Sequence, residues 1–483
     1  MQHRCALLWF RRDLRLTDNS ALAAALSSAD AVVPVYIDDP DAEAPWSPGA
    51  ASRVWLHHSL EALAKDLASL GSPLIIRRGK SLDVLRTLIK ETSATAVFWN
   101  RCYEPAVVAR DTAIKSTLRE AGLQVSSHNA LLWREPWTLK TGSDGSYRVF
   151  TPYWRKHAAE LLPRTVEAAP DSLPSPAKAL RSLGVSELEL LPTVPWDSGF
   201  RPFWQPGEAG ALAQLEDFVD SGLDGYGRGR DRPAEDGVSR LSPHLHFGEI
   251  GPNQVLVAVR RVQAQTDVNE GDAETYIKEL GWREFAHHLI VHQPHTAERP
   301  LNTAFDDFRW RSPADYAGDL KAWQRGLTGF PIVDAGMRQL WHTGWMHNRV
   351  RMIVASLLTK NLLIPWQEGA RWFWDTLVDA DLAANTLGWQ WSAGCGADAA
   401  PFFRIFNPVL QSERFDPQGH YIRRWVPELA ALPTAQIHAP WLAKPAILAA
   451  AKVQLGTNYP LPIVDLAESR RRALDVYALA RRG

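Results

Sequence analysis

The sequence predicts an α/β N-terminal domain with a five-stranded parallel sheet, followed by a larger all-α domain. Three observations support this prediction. Over the first ~130 residues, short apolar runs alternate with helical patterns, which is typical of parallel β-α-β units. A proline-rich stretch comes next, and beyond it apolar residues recur at almost purely helical spacing. The length of 483 residues is sufficient for two hydrophobic cores.

The α/β prediction depends on five apolar segments separated by helix-like stretches. One of these stretches places Arg53, Leu56, Leu60 and Leu63 at helical spacing. The architecture is Rossmann-like, but no Gly-x-Gly-x-x-Gly follows the first strand, so a dinucleotide site of that type is disfavoured. The predicted strands are Ala6–Phe10, Ala31–Ile37, Leu74–Arg78, Ala96–Asn100 and Gln124–His128.

A connector separates the two predicted domains. Eight prolines fall between Pro163 and Pro206, a composition typical of a segment that lies on the surface. We therefore predict an α/β domain over residues 1–131, an interdomain linker over 132–210 and an all-helical domain over 211–483. The predicted helices of the last domain are Ala211–Val219, Asn253–Val262, Thr275–Val291, Asp334–Trp341, Arg349–Thr359 and Gly369–Val378.

Composition favours a cytoplasmic protein with no membrane association. Cys5, Cys102 and Cys395 are too few and too scattered for a disulfide framework or a metal cage. No stretch approaches the ~20 apolar residues of a membrane span. The 15 histidines do not cluster with metal-ligand spacing, so we expect no metal, and we interpret His244, His246, His287 and His288 as surface or packing residues.

The charge pattern restricts any nucleic-acid site to a local patch. The formal net charge is −1. Between Tyr226 and Trp425, however, 19 of the 22 basic residues are arginine, whose planar guanidinium suits phosphate. Ten of the 21 tryptophans lie between Trp282 and Trp391. Most of these indoles should pack in a helical core, whereas some could stack on a flat ligand or carry electrons.

Two segments place polar groups beside predicted helix starts. Tyr226-Gly-Arg-Gly-Arg precedes Val238-Ser-Arg-Leu-Ser-Pro, and hydroxyls at such a position can hold a phosphate, although an ordinary N-cap and turn is the more frequent explanation of the pattern. Asp381 and Asn385 are four residues apart, just ahead of Trp389-Gln-Trp391. If this stretch is helical, a polar site lies beside a stacking platform.

Two further carboxylates are candidates for a site. Asp379 could cap a helix or pair with an arginine, for which Arg351 is a candidate. Glu279 and Trp282 are three residues apart and share a helical face, while Arg283 projects elsewhere. A carboxylate beside an indole fits a site that recognises a base by stacking and hydrogen bonding. An exposed glutamate above a core tryptophan fits the spacing equally well.

Long segments in matching order resemble the cryptochrome/photolyase family, from Leu8 to about Tyr477. The opening Leu8-Trp-Phe-Arg-Arg-Asp-Leu-Arg-Leu-Thr-Asp-Asn is similar to the family's first strand and turn. Trp282-Arg-Glu-Phe and Asp381-Leu-Ala-Ala-Asn are similar to its substrate and flavin motifs, as are the segments 239–250, 328–338 and 344–352. Within the family, the chain is most similar to cyclobutane pyrimidine dimer photolyases, in particular to the subgroup related to plant cryptochromes.

The resemblance implies a non-covalent FAD inside the helical domain. Val238 stands where relatives usually have threonine, which places one hydroxyl contact to phosphate in question. Asn385 is expected to face flavin N5. The residues expected at the phosphates are Tyr226, Ser239, Arg240, Leu241 and Ser242, and those expected along the flavin and adenine are Asn348, Arg351, Asp379 and Asp381.

The resemblance also implies light-driven repair of UV-damaged DNA, in which excited FADH⁻ donates an electron to a flipped-out dimer. Glu279 is expected to hydrogen-bond the lesion. Trp282 and Trp391 would flank it, with Asn348 and Met352 completing the pocket. The arginines expected on DNA phosphates are Arg230, Arg283, Arg349 and Arg404. The tryptophans expected to carry electrons to the flavin are Trp389, Trp366 and Trp310, from proximal to surface.

Other members of the family are the alternatives. Asn348 and Met352 occupy places where (6-4) photolyases carry histidines, which favours cyclobutane dimers. Many photoreceptor cryptochromes replace the asparagine near N5 by Asp or Cys, so Asn385 favours repair. We also expect no signalling tail, since the chain ends at Gly483. A light-independent flavoprotein that binds DNA or transfers electrons is a third class. We expect a monomer without an obligate protein partner.

An antenna chromophore is expected in the N-terminal domain. Ala106 and Val107 stand where the best-known folate-binding relatives have an Asn-Glu pair, so that folate site is not reproduced. The stretch Asp398–Leu410 is more similar to the subgroup related to plant cryptochromes, which favours methenyltetrahydrofolate bound differently, with a deazaflavin or an empty cleft as alternatives. Tyr36 and Trp46 are candidate stacking partners.

Overall fold

The N-terminal sheet has the strand order β3-β2-β1-β4-β5, and every pairing is parallel. The computed structural model describes residues 4–142, 144–176, 179–399 and 403–480. The strands are β1 Ala6–Phe10, β2 Val32–Asp38, β3 Ile75–Arg78, β4 Ala96–Asn100 and β5 Gln124–His128. Three strands have the predicted bounds, β2 is shifted by one residue, and β3 begins one residue later. The predicted parallel α/β fold is confirmed.

Burial on both faces explains why the central strands β1 and β4 appear as continuous apolar runs. All five residues of β1, and all five of β4, are buried, as expected where helices cover both faces of a parallel sheet. The register places Ala6 beside Val32 on one side and Ala96 on the other. The helices between and after these strands are α1 Ser20–Ser28, α2 Ala50–Ser69, α3 Ser81–Thr92 and α4 Pro105–Glu120.

Beyond the sheet, the elements of the described chain are helices, which confirms the predicted all-α fold of the second region. Each predicted helix is present, and Arg349–Thr359 corresponds to a shorter helix that continues as a π-helical turn, Leu357–Asn361. No helix in the described ranges is both long enough and apolar enough to cross a bilayer. The helices are α5 Phe150–Ala158, α6 Glu208–Ser221, α7 Tyr226–Gly229, α8 Ser242–Phe247, α9 Pro252–Gln265, α10 Glu270–His292, α11 Pro313–Gln324, α12 Pro331–Thr343, α13 Asn348–Ser356, α14 Trp366–Thr376, α15 Leu382–Ala393, α16 Pro408–Phe415, α17 His420–Trp425, α18 Thr434–Ile437, α19 Pro445–Ala450 and α20 Leu466–Ala480.

The predicted linker, residues 132–210, contains more buried structure than its composition indicates. Helix α5 buries Phe150 and Tyr153, and both rings contact Phe285 of α10. The proline-rich part is mostly exposed but is anchored by buried apolar side chains, among them Leu173 and Leu188. A few apolar anchors are sufficient to hold such a segment against the surface.

Buried hydrogen bonds join the sheet region to the helices. Arg15 is fully buried and donates to the carbonyl oxygens of Gly248 and Ala130 at 2.9 Å. The Glu284 carboxylate of α10 accepts from the backbone N–H of Trp133 at 3.0 Å. Burial raises the pKa of Glu284 to about 7. These directional hydrogen bonds, and not apolar contact alone, fix how the N-terminal region meets the helices.

The joint also contains a histidine that should make folding sensitive to acid. His288 is fully buried, with Nδ1 at 3.0 Å from the Pro136 carbonyl oxygen and Nε2 accepting from the Tyr147 N–H at 3.0 Å. Only the neutral Nδ1–H tautomer satisfies both partners. Burial accordingly lowers the pKa of His288 to about 4.

We expect the titration of His288 to lower the free energy of unfolding as the pH drops from 6.5 towards 4. Below pH 6.5 the unfolded chain binds a proton that the folded His288 does not, which costs about 3 kcal/mol by pH 4. Glu284, whose pKa is raised, contributes in the opposite direction, so the contribution of His288 is the difference between wild type and His288→Gln. This variant keeps a donor and an acceptor but cannot titrate. Urea unfolding of both proteins at pH 7.5, 5.5 and 4.5 should show the wild type losing more stability than the variant, and equal changes in the two would contradict the assignment.

Candidate functional site

One face of helix α15 opens into space that no described side chain fills. Ala384, Gly388 and Trp391 follow one another at helical spacing, and the first two are exposed while the third is half-buried. A Cβ at Gly388 would meet no atom within 4 Å. On the opposite faces, Leu382 and Trp389 are buried. An internal helix with one unpacked face is the form expected of a ligand cradle.

Asp381 begins this helix and lies in a polar cluster. Its carboxylate caps α15 by accepting from the Ala384 N–H at 2.8 Å, and Oδ2 lies 3.5 Å from both His246 and His287. Burial opposes ionisation, but the two imidazoles outweigh it and hold the pKa of Asp381 well below its usual range. Burial lowers the pKa of both histidines. Asn385 is one turn along and donates to the Ala370 carbonyl oxygen at 3.0 Å.

Asp379 and Arg351 form the pair that the sequence suggested. One guanidinium nitrogen, Nη2, lies 2.8 and 3.1 Å from the two carboxylate oxygens. Ser242 donates to the same carboxylate at 2.6 Å, and the Trp345 indole N–H lies 3.4 Å from the Ser242 hydroxyl. The Asp379 side chain is 3% exposed. This cluster therefore fixes the first residue of α8 next to the carboxylate just before α15.

A positively charged region borders this cluster. His347 is the N-cap of α13, where its Nδ1 accepts from the Arg349 N–H at 3.2 Å. Its Nε2 is buried without a hydrogen-bond partner among the described residues. Burial and the nearby arginines 349, 351 and 240 lower the pKa of His347 to about 3. The neutral ring thus presents a free N–H donor in a basic environment, which is an arrangement that a phosphate or carbonyl oxygen would satisfy.

The residues predicted to contact the phosphates fall into two groups that differ in exposure. Ser239 and Arg240 are half-buried and Ser242 is exposed, so these three can reach a ligand. Arg240 adopts a left-handed backbone conformation with φ 52°, which is uncommon for a residue with a side chain and typical of a functional turn. Tyr226 and Leu241 are instead buried in the packed core, where Tyr226 contacts the Tyr276 ring at 5.1 Å.

These groups fit FAD. A flat isoalloxazine ring needs an open, partly apolar face, and the α15 face of Ala384 and Gly388 supplies one. Pyrophosphate needs cationic and N–H donors, and Arg240 and the orphaned His347 N–H supply these. Nothing in the cluster requires a metal. The described residues do contain one group of potential metal ligands, His57, His58 and Glu61 of α2, and their ring nitrogens already contact the glutamate at 3.3 and 3.0 Å.

A second group of charged residues leads from α10 to Met352 of α13. Glu279 of α10 pairs with Arg230 at 2.6 Å. The next residue, Asp231, pairs with Arg349 at 2.6 Å, and Arg349 also lies 3.7 Å from the Met352 sulfur. The structure therefore brings these predicted residues into one chain of contacts. The sequence analysis did not identify Asp231, because its only signal was its position beside an arginine.

A small cavity continues this group towards Trp391. Its wall includes Met352, Trp391 and Arg404. Arg404 is exposed and forms no ion pair with a described residue. Asn348, at the start of α13, is also exposed. We call Glu279, Asn348, Met352 and Trp391 the candidate pocket. The stretch quoted from Asp398 to Leu410 includes residues 400–402, which lie outside the described part of the chain.

Trp282 and Arg283 differ from their expected settings. The Trp282 ring stacks on Phe150 at 3.6 Å with an interplanar angle of 9°, so one face of the indole is already covered. Arg283 turns inward and donates to the carbonyl oxygens of Leu131 at 2.7 Å and Leu245 at 3.4 Å. The guanidinium therefore joins α10 to the N-terminal region, and its contact with a DNA phosphate stays a prediction.

The three tryptophans predicted to carry electrons run from the core to the surface. Trp389 and Trp366 are each 2% exposed, while Trp310 is half-buried. Trp389 packs so closely on α14 that a Cβ at Gly369 would lie 2.0 Å from its ring. Trp366 and Trp310 line one cavity. Other tryptophans lie nearby, including Trp323, whose ring centroid is 6.1 Å from that of Trp389.

A large cavity lies at the carboxyl ends of the strands, where the strand order reverses between β1 and β4. We call it the switch-point cavity, and its volume is about 520 Å³. Open α/β sheets usually bind ligands at this place. Tyr36 lines it, as do charged side chains. These include Arg12, Asp38, Glu43, Arg53 and Arg78.

A second cavity of about 330 Å³ adjoins the first and is lined by Trp46, Ala106 and Val107. One edge of the Trp46 ring already contacts Trp374, with centroids 5.5 Å apart. The two predicted stacking residues, Tyr36 and Trp46, therefore lie on different cavities.

Comparisons with known proteins identify the family of the chain. The DNA photolyase model matches residues 6–176, and the model for the FAD binding domain of DNA photolyase matches residues 276–479. A deoxyribodipyrimidine photo-lyase from Agrobacterium fabrum is 50% identical over 99% of this chain and 98% of its own. Cryptochrome-1 of Arabidopsis thaliana is 39% identical over 97% of this chain and 69% of its own.

Comparison with solved structures also finds a photolyase with the same fold. The crystal structure of a bacterial class III photolyase from Agrobacterium tumefaciens superposes with a TM-score of 0.96 at 49% identity, over 100% of this chain and 99% of that one. The matched family models together span most of the chain, and the fold extends the match from end to end. The chain therefore belongs to the cryptochrome/photolyase family.

Proposed function

We propose that this protein repairs cyclobutane pyrimidine dimers in UV-damaged DNA, using light and non-covalently bound FAD. The observation that carries the proposal is the position of Glu279. This carboxylate is held by Arg230 at 2.6 Å, and the neighbouring contacts of Asp231 and Arg349 extend to Met352, which shares a cavity with Trp391 of α15. Several relatives named deoxyribodipyrimidine photo-lyase, one of them 50% identical over nearly the full length, support the same reaction.

The chemistry of bond breaking belongs to the cofactor: FAD, when bound and reduced, supplies the electron that opens the dimer. The protein holds and shields the reactants. Ser242, Asp379 and Arg351 would fix the flavin, with Asn385 beside its reactive ring. Glu279 would accept a hydrogen bond from a thymine N–H or, if protonated, donate one to a carbonyl, and so orient the flipped-out lesion.

Stacking and charge would complete the recognition of the lesion. Trp391 would stack on one side of the dimer, and the uncovered side of Trp282 would border it. Asn348 and Met352 would close the pocket. Arg230, Arg349 and Arg404 are the arginines that we place on the DNA backbone, where phosphate contacts set register rather than sequence. Electrons for flavin reduction would pass through Trp310, Trp366 and Trp389.

We further propose that the switch-point cavity holds an antenna chromophore. Its volume of about 520 Å³ suits a ligand of several rings. Methenyltetrahydrofolate is favoured because Arg53, whose guanidinium has no carboxylate partner within the described residues, could bind a glutamate tail. A deazaflavin is the alternative. We expect the protein to act as a monomer in the cytoplasm, in keeping with its three buried free cysteines.

The test is repair of a thymine-dimer oligonucleotide by purified, fully reduced protein under blue or near-UV light, with a dark control. Loss of the dimer only in light is expected, and an absorption band beyond that of FAD would reveal the antenna. If FAD-loaded, reduced protein repairs no cyclobutane dimer in light, the proposal is wrong. Repair of a (6-4) product, or of neither lesion, would then separate a different photolyase from a photoreceptor.

A further inference from the structure

Lys360 is a buried lysine beside the candidate pocket, on the π-helical turn that continues α13. It is 2% exposed. Its Nζ lies 3.3 Å from the centroid of the Phe403 ring and 3.4 Å from the Arg404 carbonyl oxygen. A Cβ at Gly394, the C-cap of α15, would lie 3.4 Å from the same Nζ. The amine is therefore surrounded by a ring face, a carbonyl oxygen and the negative end of a helix.

This lysine is poorly explained by a structural role alone. No carboxylate within the described ranges forms an ion pair with it, and burial lowers the pKa of Lys360 to about 7. Burying a cation without a counter-ion is unfavourable, and an apolar side chain of similar length would fill the same space at lower cost. Groups that a fold retains at such a cost are more often used by a site than by the core.

The surroundings indicate which site uses Lys360. It shares the wall of one small cavity with Met352, Trp391 and Arg404. Its amine contacts the backbone carbonyl oxygen of Arg404. The Arg404 side chain is exposed and forms no ion pair with a described residue. Lys360 is thus the polar link between the end of the flavin helix α15 and the segment that presents this arginine.

We propose that Lys360 is a positioning residue for DNA binding. It fixes the segment of Phe403 and Arg404 against the C-terminal end of α15, so that the Arg404 guanidinium is directed at the backbone of the damaged strand. This inference builds on the proposed repair function. It predicts that loss of Lys360 weakens the binding of damaged DNA through Arg404, without changing the reaction of a lesion already bound.

The first test is dark binding of a thymine-dimer oligonucleotide by FAD-loaded protein, followed by fluorescence anisotropy. Lys360→Met should bind about tenfold more weakly, the loss expected for one charge-assisted contact. Its repair rate at saturating DNA should match that of the wild type, so that KM rises while kcat stays constant. Lys321→Met removes the same charge from an exposed position on α11 and should bind normally.

Two further readouts distinguish positioning from a structural defect. If Lys360 acts through Arg404, adding Lys360→Met to Arg404→Ala should cause no further loss of affinity. Lys360→Met should also unfold at the same or a higher urea concentration than the wild type, because it removes a buried cation. Normal binding by Lys360→Met, losses that add in the double variant, or a lower urea midpoint would each overturn the inference.

The pH dependence gives an independent check. Wild-type affinity should fall between pH 6 and 8.5, as Lys360 loses its proton and its attraction to the ring and the helix end, whereas Lys360→Met should show no such fall. The other titratable or charged groups facing it are Cys395, Tyr477 and Arg404, and burial raises the pKa of Cys395 to about 12. An identical profile in both proteins would count against Lys360. Wild-type protein that repairs nothing would contradict the proposed function instead.

Discussion

Trp389→Phe should abolish light-driven reduction of bound, oxidised FAD while sparing repair by protein that has been reduced chemically. Phenylalanine cannot be oxidised as readily as indole, so the transfer of an electron from residue 389 to the photoexcited flavin is lost. The fold should tolerate the change. Trp389 is enclosed by Gly369, Phe373 and Trp323, with ring centroids 5.0 Å and 6.1 Å away, and a phenyl ring keeps most of these contacts at a cost of ~2 kcal/mol or less.

The measurement is the absorbance of oxidised FAD during illumination with an external reductant, followed by repair of a thymine dimer after dithionite reduction. Trp323→Phe is a matched control. Trp323 is also fully buried, lies 6.1 Å from Trp389 and donates to the Val354 carbonyl oxygen at 3.0 Å, but we assign it no role in the chain. If photoreduction survives in Trp389→Phe but fails in Trp323→Phe, the electrons reach the flavin through Trp323 instead.

The sequence predicted the parts of the structure that depend on local patterns. The bounds of β1 and β4 agree with the prediction because each strand is buried on both faces and flanked by polar or turn residues. The bounds of the edge strand β5 also agree, although only Val125 of this strand is buried. The ion pair of Arg351 and Asp379 was also predicted, because a single cationic partner is sufficient to pair with the Asp379 carboxylate.

Contacts set by helix packing could not be foreseen. Arg230 and Glu279 are separated by 49 residues and Asp231 and Arg349 by 118, and no periodic pattern relates such positions. For the same reason, Arg283 appeared to be available to DNA. It turns inward because α10 crosses the Leu131 carbonyl, a contact that depends on the tertiary fold alone.

The depth at which a polar side chain is buried is the other property that the sequence pattern could not predict. His246 and His287 were interpreted as surface or packing residues, and the structure buries both of them 3.5 Å from the Asp381 carboxylate at the start of α15. A histidine carries no sequence signal for its depth. Lys360 is a stronger example, because lysine is almost always exposed in folded proteins. Its burial is visible only when α13, α15 and the segment of Phe403 are assembled.

Asp379→Ala should lower the free energy of unfolding by about 3 kcal/mol and strip FAD from the protein. Removing this carboxylate leaves Arg351, whose side chain is only 23% exposed, without its partner, and a buried charge that loses its partner typically costs 3–5 kcal/mol. The lower figure applies because the guanidinium keeps its 2.7 Å bond to the Met346 carbonyl oxygen. Ser242 also loses its acceptor, so the start of α8 loosens where the cofactor would bind.

Asp236→Ala is the matched control, because it breaks an aspartate–arginine pair in the same region at the surface. Asp236 pairs with Arg240, but its side chain is 83% exposed, and such pairs contribute about 0–1 kcal/mol. Urea unfolding of both variants, with the flavin retained after purification, compares one buried pair with one exposed pair. Equal losses in the two would mean that water reaches Asp379 and that its carboxylate does not organise the site. A loss confined to Asp379→Ala would establish the Arg351–Asp379–Ser242 cluster as the anchor of the flavin.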